Sequence, residues 1–150
     1  MVGRLGRCAR DDDAALASYR RLHAAAAEGL RAQPEDLEEA YQRAFHLHAA
    51  RTYPELLETV SAILAPLRRR ASAQHLATLA RWALEALEHL PTLERRESLR
   101  LEFLEDAADA ADRLGRREDQ RELLDRLANF ELDIERHPAE AARLYLLHAR

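Results

Sequence analysis

The chain of 150 residues contains almost none of the aliphatic residues from which β-strands are built. Its valines and isoleucines are Val2, Val60, Ile63 and Ile134, and aromatic residues make up 5% of the chain. Strands draw on these residue types, so the sequence predicts an all-α protein. Apolar residues account for 47% and charged residues for 33%, which favours one domain with a packed core over a disordered chain.

Helix-forming segments recur at intervals of about twenty residues. Capping residues and prolines place the helix starts near positions 13, 34, 53, 72, 92, 117 and 138. The acidic run Asp11–Asp13 is expected to cap the first helix, which leaves residues 1–12 as a flexible tail and residues 13–150 as the helical domain. Thr52 and Glu55 have the spacing of a capping box. Pro66 is expected to kink or shorten the third helix, and Gly115 to end the fifth.

The fourth and fifth predicted helices are apolar around most of their circumference. Their polar residues fall on narrow stripes, namely Gln74, Thr78, Arg81, Glu85 and Glu88 on the fourth helix, and Glu102, Glu105, Asp109 and Asp112 on the fifth. An ordinary surface helix has one apolar side, so these two helices are expected in the middle of a stack. About seven helices, connected by short loops, predict antiparallel hairpins stacked as a short α-solenoid.

The segment from Leu104 to Leu127 resembles a tetratricopeptide repeat. The matching positions are Leu104, Ala107, Ala108, Ala111, Gly115, Leu124 and Leu127. The segment departs from the family pattern at Gln120, where alanine is usual, and at the late Pro138. Residues 72–150 are similar to the repeat region of large bacterial signalling ATPases and LuxR-type transcription activators.

This resemblance implies a protein–protein interaction or scaffold module, carried as a fragment of a larger bacterial signalling or transcription-regulatory protein. Its groove would be lined by the first helix of each hairpin and would bind a protein or peptide. The alternative is a helical ligand-sensing or dimerisation domain of a transcription regulator, which needs an enclosed apolar pocket. The sequence gives no Ser-His-Asp set to prefer over others and has no glycine-rich phosphate loop, so we expect no enzymatic activity and no cofactor.

Candidate partner-binding residues occur at three places. Arg68, Arg69 and Arg70 could meet a phosphate or an acidic partner, or could complement the dipole at the end of the third helix. Trp82 could anchor an interface or pack between helices, whereas Tyr41, Phe45 and Tyr53 are expected in the core. The seventh helix carries an apolar side with no following helix to cover it, so weak self-association or docking is expected at Tyr145, Leu146 and Leu147.

Several other classes of function are disfavoured. The net charge of −4 makes nucleic-acid binding unlikely. His46 and His48 are two residues apart and point in different directions on a helix, so no metal site is expected. Asp106, Asp109 and Asp112 are expected to be solvated. The single cysteine, Cys8, predicts a cytoplasmic protein, and no apolar run is long enough to span a membrane.

Overall fold

The computed structural model describes the backbone of residues 5–30, 36–70, 72–90 and 96–133, and every regular element in these ranges is an α-helix. The helices are α1 (Leu5–Glu28), α2 (Leu37–Ala50), α3 (Tyr53–Arg70), α4 (Ala73–His89), α5 (Arg96–Arg113) and α6 (Arg117–Asp133). The all-α prediction is therefore confirmed for the described residues. The predicted seventh helix, which carries Tyr145, Leu146 and Leu147, lies outside them.

Local capping explains three of the helix ends. The Asp36 carboxylate accepts from the Glu39 amide at the start of α2 (2.9 Å), and the Ser72 hydroxyl accepts from the His75 amide at the start of α4. Gly115 follows α5 with φ +67°, a left-handed conformation that glycine adopts without a steric penalty. The predicted helix start at Ser72 and the predicted stop at Gly115 are confirmed.

The predicted start of the first helix is wrong. Helix α1 begins at Leu5, so Asp11–Asp13 lie inside the helix, and the start falls within the stretch assigned to a tail. Arginine, alanine and leucine upstream of the acids are strong helix formers, and they extend the helix beyond the acidic run.

At Pro66, α3 is not shortened, because the helix continues to Arg70. Proline costs about 3 kcal/mol inside a helix. Leu64 and Leu67, on either side of it, are fully buried, and each burial contributes about 1.5–3 kcal/mol. Burial therefore outweighs the missing hydrogen bond of the proline.

At the other end of α3 the Thr52 hydroxyl donates to the Leu47 carbonyl (3.4 Å), which ties the start of α3 to the end of α2.

Each described helix packs against the next one along the chain, and α2 also contacts α4. The core is centred on α3, α4 and α5. Their largest fully buried side chains are Leu56, Val60, Ile63, Leu67, Leu76, Leu79, Leu87, Phe103 and Leu104. Alanines at the helix contacts have no exposed surface, as at Ala44, Ala80 and Ala110, so the helix backbones approach closely. Helix α4 contacts both α3 and α5, as its residue pattern predicted.

Helix α1 lies at the edge of this core. Ala27 is its one buried side chain among the described residues, whereas α4 buries seven. Helix α1 has 24 residues and α2 has 14, which correspond to lengths of about 36 Å and 21 Å. The long helix at the edge therefore has more surface than its neighbour can cover.

Replacing Leu79 by alanine tests where the core lies. Leu79 has no exposed surface, and truncating such a leucine removes buried apolar area and leaves a cavity. We expect the free energy of unfolding to fall by about 2–5 kcal/mol, measured by urea denaturation followed by circular dichroism. Leu22→Ala is the matched control, because Leu22 is 72% exposed. A control loss as large as that of Leu79→Ala would contradict this location of the core.

Candidate functional site

The guanidinium of Arg43, on α2, holds the C-terminal end of α1 in place. Its Nη1 donates to the carbonyl oxygens of Ala27 and Leu30, both at 2.7 Å, and its Nε donates to the Thr59 hydroxyl of α3 (3.3 Å). These carbonyls lie at the negative end of the α1 dipole, where a cation is stabilising. Arg43 thereby joins α1, α2 and α3 and aligns the preceding turns of α1 with α2.

Four large apolar side chains remain exposed on this part of the molecule. Their exposed fractions are 46% for Leu16, 48% for Tyr19, 72% for Leu22 and 40% for Phe45. The three residues of α1 are spaced by three positions and therefore lie on one side of the helix. Phe45 was expected in the core, and this expectation is wrong, because the side chain lies at the open seam between α1 and α2. The other two predicted core aromatics are better covered, since Tyr53 is buried and Tyr41 is partly buried.

Aromatic and histidine rings continue from this apolar patch across α2 to α4. We call this set the ring strip, and it consists of Tyr19, His23, Tyr41, Phe45, His46, His48, His75 and Trp82. Successive ring centroids lie 4.3 Å to 6.1 Å apart, which is the range of favourable ring pairs. The strip is thus continuous over three helices, although its residues come from three separate parts of the sequence.

Two hydrogen bonds made by histidines of the ring strip connect α2 to α1 and to α4. The Nδ1 atoms of His23 and His46 lie 2.8 Å apart, so one ring nitrogen carries a proton and donates while the other accepts. On the far side, His48 Nε2 lies 2.8 Å from Glu85 Oε2 on α4, and the His48 ring stacks on Trp82 at 4.9 Å. Helix α2 therefore uses neighbouring histidines to contact α1 and α4.

The structure separates the residues that the sequence singled out as partner contacts. Trp82 is partly buried and packs on Tyr41, Phe45 and His48 of α2, so it combines packing between helices with a place in the ring strip. Arg68 points from α3 to α5, and Arg69 is exposed. The Arg70 side chain and residues Tyr145, Leu146 and Leu147 lie outside the described part of the chain.

Asp106 is 6% exposed, so the expectation that it is solvated is wrong. It faces α3, where Arg68 Nε donates to one carboxylate oxygen at 2.6 Å and Nη2 to the other at 2.9 Å. Arg68 Nη2 also donates to Glu102 (2.9 Å). Burial raises the pKa of Asp106, while the bonds from Arg68 act against this rise. The bond to Asp106 raises the pKa of Arg68 above its ordinary value.

The polar stripe of α4 lines a cavity of about 240 Å³ between α4 and α6. Apolar side chains line it at Ala77, Leu84, Ala107, Ala111 and Leu123, and charged ones at Arg81, Glu85, Glu88, Arg116, Asp119, Glu122 and Arg126. Two contacts reach α4 from this end of the chain, one from Arg116, just before α6, to Gln74 (2.8 Å) and one from Arg126 of α6 to Glu88 (3.7 Å). The cavity therefore combines apolar and charged side chains in one lining.

A second groove, of about 320 Å³, lies between α5 and α6. Glu105, Asp109 and Asp112 give it an acidic wall, in keeping with the predicted acidic stripe of α5. Within the described residues, His, Cys, Asp and Glu do not gather into any group of three that could hold a metal ion. None of the described helices is long and apolar enough to cross a membrane.

Comparisons with protein families, with curated proteins and with solved structures found no match to this chain. The function proposed below therefore depends on the geometry of the chain itself and on the resemblance of its repeat-like segment.

Replacing Arg68 by methionine tests the contact between α3 and α5. The variant leaves the Asp106 carboxylate buried without its cation, so we expect a loss of about 1–2 kcal/mol at pH 7, reduced by the partial exposure of Arg68. Because the pKa of Asp106 is raised, its carboxyl group binds a proton more tightly in the folded chain than in the unfolded chain. The free energy of unfolding therefore falls as the pH rises from the ordinary pKa of this group through its raised pKa.

In Arg68→Met the free energy of unfolding depends more strongly on pH than in the wild type. Part of the stability that the variant loses at pH 7 is recovered on acidification towards pH 5. Urea midpoints across pH 4–8 measure the effect. In the control, Arg68→Met combined with Asp106→Asn, the added dependence is absent because the titrating group is gone. Parallel pH profiles for the single and double variants would contradict this account of Asp106.

Proposed function

We propose that the chain is a protein–protein interaction module whose contact surface is the ring strip together with the exposed residues of α1. The observation that carries this proposal is the apolar patch at Leu16, Tyr19, Leu22 and Phe45. Contiguous apolar surface on a folded chain is typical of sites that bind another protein. Covering each large side chain would contribute roughly 1.5–3 kcal/mol, enough for three or four of them to support specific binding.

The partner that fits this surface best is an amphipathic helix. Leu16, Tyr19 and Leu22 recur at three-residue spacing and are exposed, and helices dock against one another through such rows. Tyr19 and Phe45 supply rigid aromatic contacts, which are the side chains that most often dominate binding energy. A partner helix lying along α1 would bury this row and contact Phe45.

We also propose that the helices form the stacked hairpins of a tetratricopeptide-like solenoid. Residues 23 and 27 of α1 meet residues 46 and 43 of α2, which is an antiparallel arrangement. Gln74 and Glu88 of α4 meet, in the same order, Arg116 just before α6 and Arg126 within it, which makes these alternate helices parallel. Side chains also bridge α2 to α4 and α3 to α5. Both features are expected where hairpins stack in sequence.

In this proposal the module serves as a scaffold within a bacterial signalling or transcription-regulatory protein of the cytoplasm, without enzymatic activity of its own. That context rests on the resemblance of residues 72–150. The alternative, a ligand-sensing domain, calls for an enclosed apolar pocket. The cavity between α4 and α6 has seven charged side chains beside five apolar ones, so its lining is mixed, and the exposed apolar patch makes the interaction module the better supported of the two. The predicted self-association through Tyr145, Leu146 and Leu147 stays a prediction.

Site-specific photocrosslinking in the source cells tests the proposed surface. Benzoylphenylalanine at position 22 should give a discrete heteromeric adduct, because this position is the most exposed of the apolar patch. The matched control carries the same group at position 62, an exposed alanine on α3. Adding Leu16→Glu and Tyr19→Glu should abolish the adduct at position 22 while circular dichroism stays unchanged. Equal adducts at positions 22 and 62, or none at 22, would refute the proposal.

Small-angle X-ray scattering tests the solenoid. A compact globule of 150 residues has a radius of gyration of about 15 Å. Stacked hairpins make a longer particle, so we expect a larger radius and an asymmetric distance distribution for the monomer. A radius at the compact value with a symmetric distribution would instead indicate a closed helical bundle.

A further inference from the structure

The cavity between α4 and α6 has an apolar floor and charged walls. Helices α4 and α6 both pack on α5, whose Ala107 and Ala111 line the cavity together with Leu84 of α4. These three side chains are buried and form the floor. We propose that this cavity binds a free α-amino acid with an aliphatic side chain. The inference is independent of the proposed interaction function, because no residue of the ring strip lines the cavity.

Two contacts between side chains mark the ends of the cavity. Arg116 donates to Gln74 at one end (2.8 Å), and Arg126 lies 3.7 Å from Glu88 at the other. The two contacts follow the same order along both parts of the chain. Residues halfway between the contacts on α4 therefore lie opposite residues halfway between them on α6.

Opposite charges line the two walls in this middle part of the cavity. Arg81 belongs to the α4 wall, and Asp119 and Glu122 belong to the α6 wall. Within the described part of the chain, these three side chains form no ion pair. A cation and two carboxylates thus face the same space without meeting, and a ligand that carries both charges can bridge them.

An α-amino acid has the charges that this arrangement calls for. The Arg81 guanidinium can donate two N–H groups to the ligand carboxylate, while the carboxylates of Asp119 and Glu122 accept from its ammonium group. The aliphatic side chain then lies against the floor, where its burial is favourable. Both charges of the ligand are paired in this position, so no uncompensated charge is removed from water.

The volume of the cavity favours a ligand of the size of leucine. A cavity of about 240 Å³ corresponds to about eight water molecules at about 30 Å³ each. Leucine, with about nine non-hydrogen atoms, is close to this size, whereas sites for drug-sized molecules begin at roughly 300 Å³. Leucine is therefore the probe that tests the proposal, and a dipeptide is the competing ligand.

Isothermal titration of the full chain with leucine measures the binding. The wild type should bind one leucine per chain with a Kd of about 1 mM or tighter. Leucinamide lacks the carboxylate and N-acetylleucine lacks the ammonium group, so each should bind at least about tenfold more weakly. Glycine should also bind more weakly, because it has no side chain to cover the floor.

These titrations use the wild type alone and decide the proposal without any variant. Absence of leucine binding would overturn it, and so would binding of leucinamide or N-acetylleucine as tight as that of leucine. Leucyl-leucine that binds more tightly than leucine would overturn the assignment to a single amino acid.

Variants of the two walls test which wall holds which end of the ligand. Arg81→Met should bind leucine at least about tenfold more weakly and should no longer prefer leucine over leucinamide. Asp119→Asn combined with Glu122→Gln should no longer prefer leucine over N-acetylleucine. The matched control is Arg69→Met, which removes an exposed cation of α3 outside the cavity and should bind leucine like the wild type.

Circular dichroism checks that each variant is folded. An Arg81→Met chain that keeps its preference for leucine over leucinamide would overturn the proposal. An equal loss of leucine binding in Arg69→Met and Arg81→Met would overturn it as well, because a general effect of charge would then explain the loss.

Discussion

Close contact between alanine-lined helix faces is the constraint on which this architecture depends. Ala80 and Ala83 of α4 and Ala110 of α5 have no exposed surface, and a methyl side chain is the smallest that a helix contact can hold without glycine. Leucines on either side then interdigitate at the density of a protein interior. A larger side chain at any of these alanines would push two helices apart and disturb the contacts that both make elsewhere.

Polar contacts between helices that are not consecutive add specificity to this packing. Arg68 joins α3 to α5, and the His48–Glu85 bond joins α2 to α4. Each pair is partly exposed or costs desolvation energy, so its net contribution to stability is small. Such contacts select one register between two packed helices. Alanine and leucine surfaces alone allow one helix to shift along the other. Arg43 acts in the same way at the end of α1, where its cation meets two carbonyl oxygens.

The candidate site results from the position of α1 at the edge of the core. This helix buries one side chain among those described, so its attachment depends on Arg43 and on the His23–His46 contact. The same weak coverage leaves Leu16, Tyr19 and Leu22 available to a partner. Interaction surface and limited local stability thus have one cause, the absence of a described neighbour on the outer side of α1.

The sequence by itself determined the helical class, the start of α4 at Ser72, the stop after α5 at Gly115 and the two-sided packing of α4. These features follow from residue composition and from interactions within one or two turns. Among the predicted partner contacts whose side chains the structure describes, Trp82 lies in the ring strip, and Arg68 and Arg69 do not. The tertiary structure decided the burial of Asp106, the exposure of Phe45, the role of Arg43 and the meeting of His23 with His46. Those contacts join residues from 13 to 38 positions apart, and helical periodicity carries no information about which helix lies opposite a given side chain.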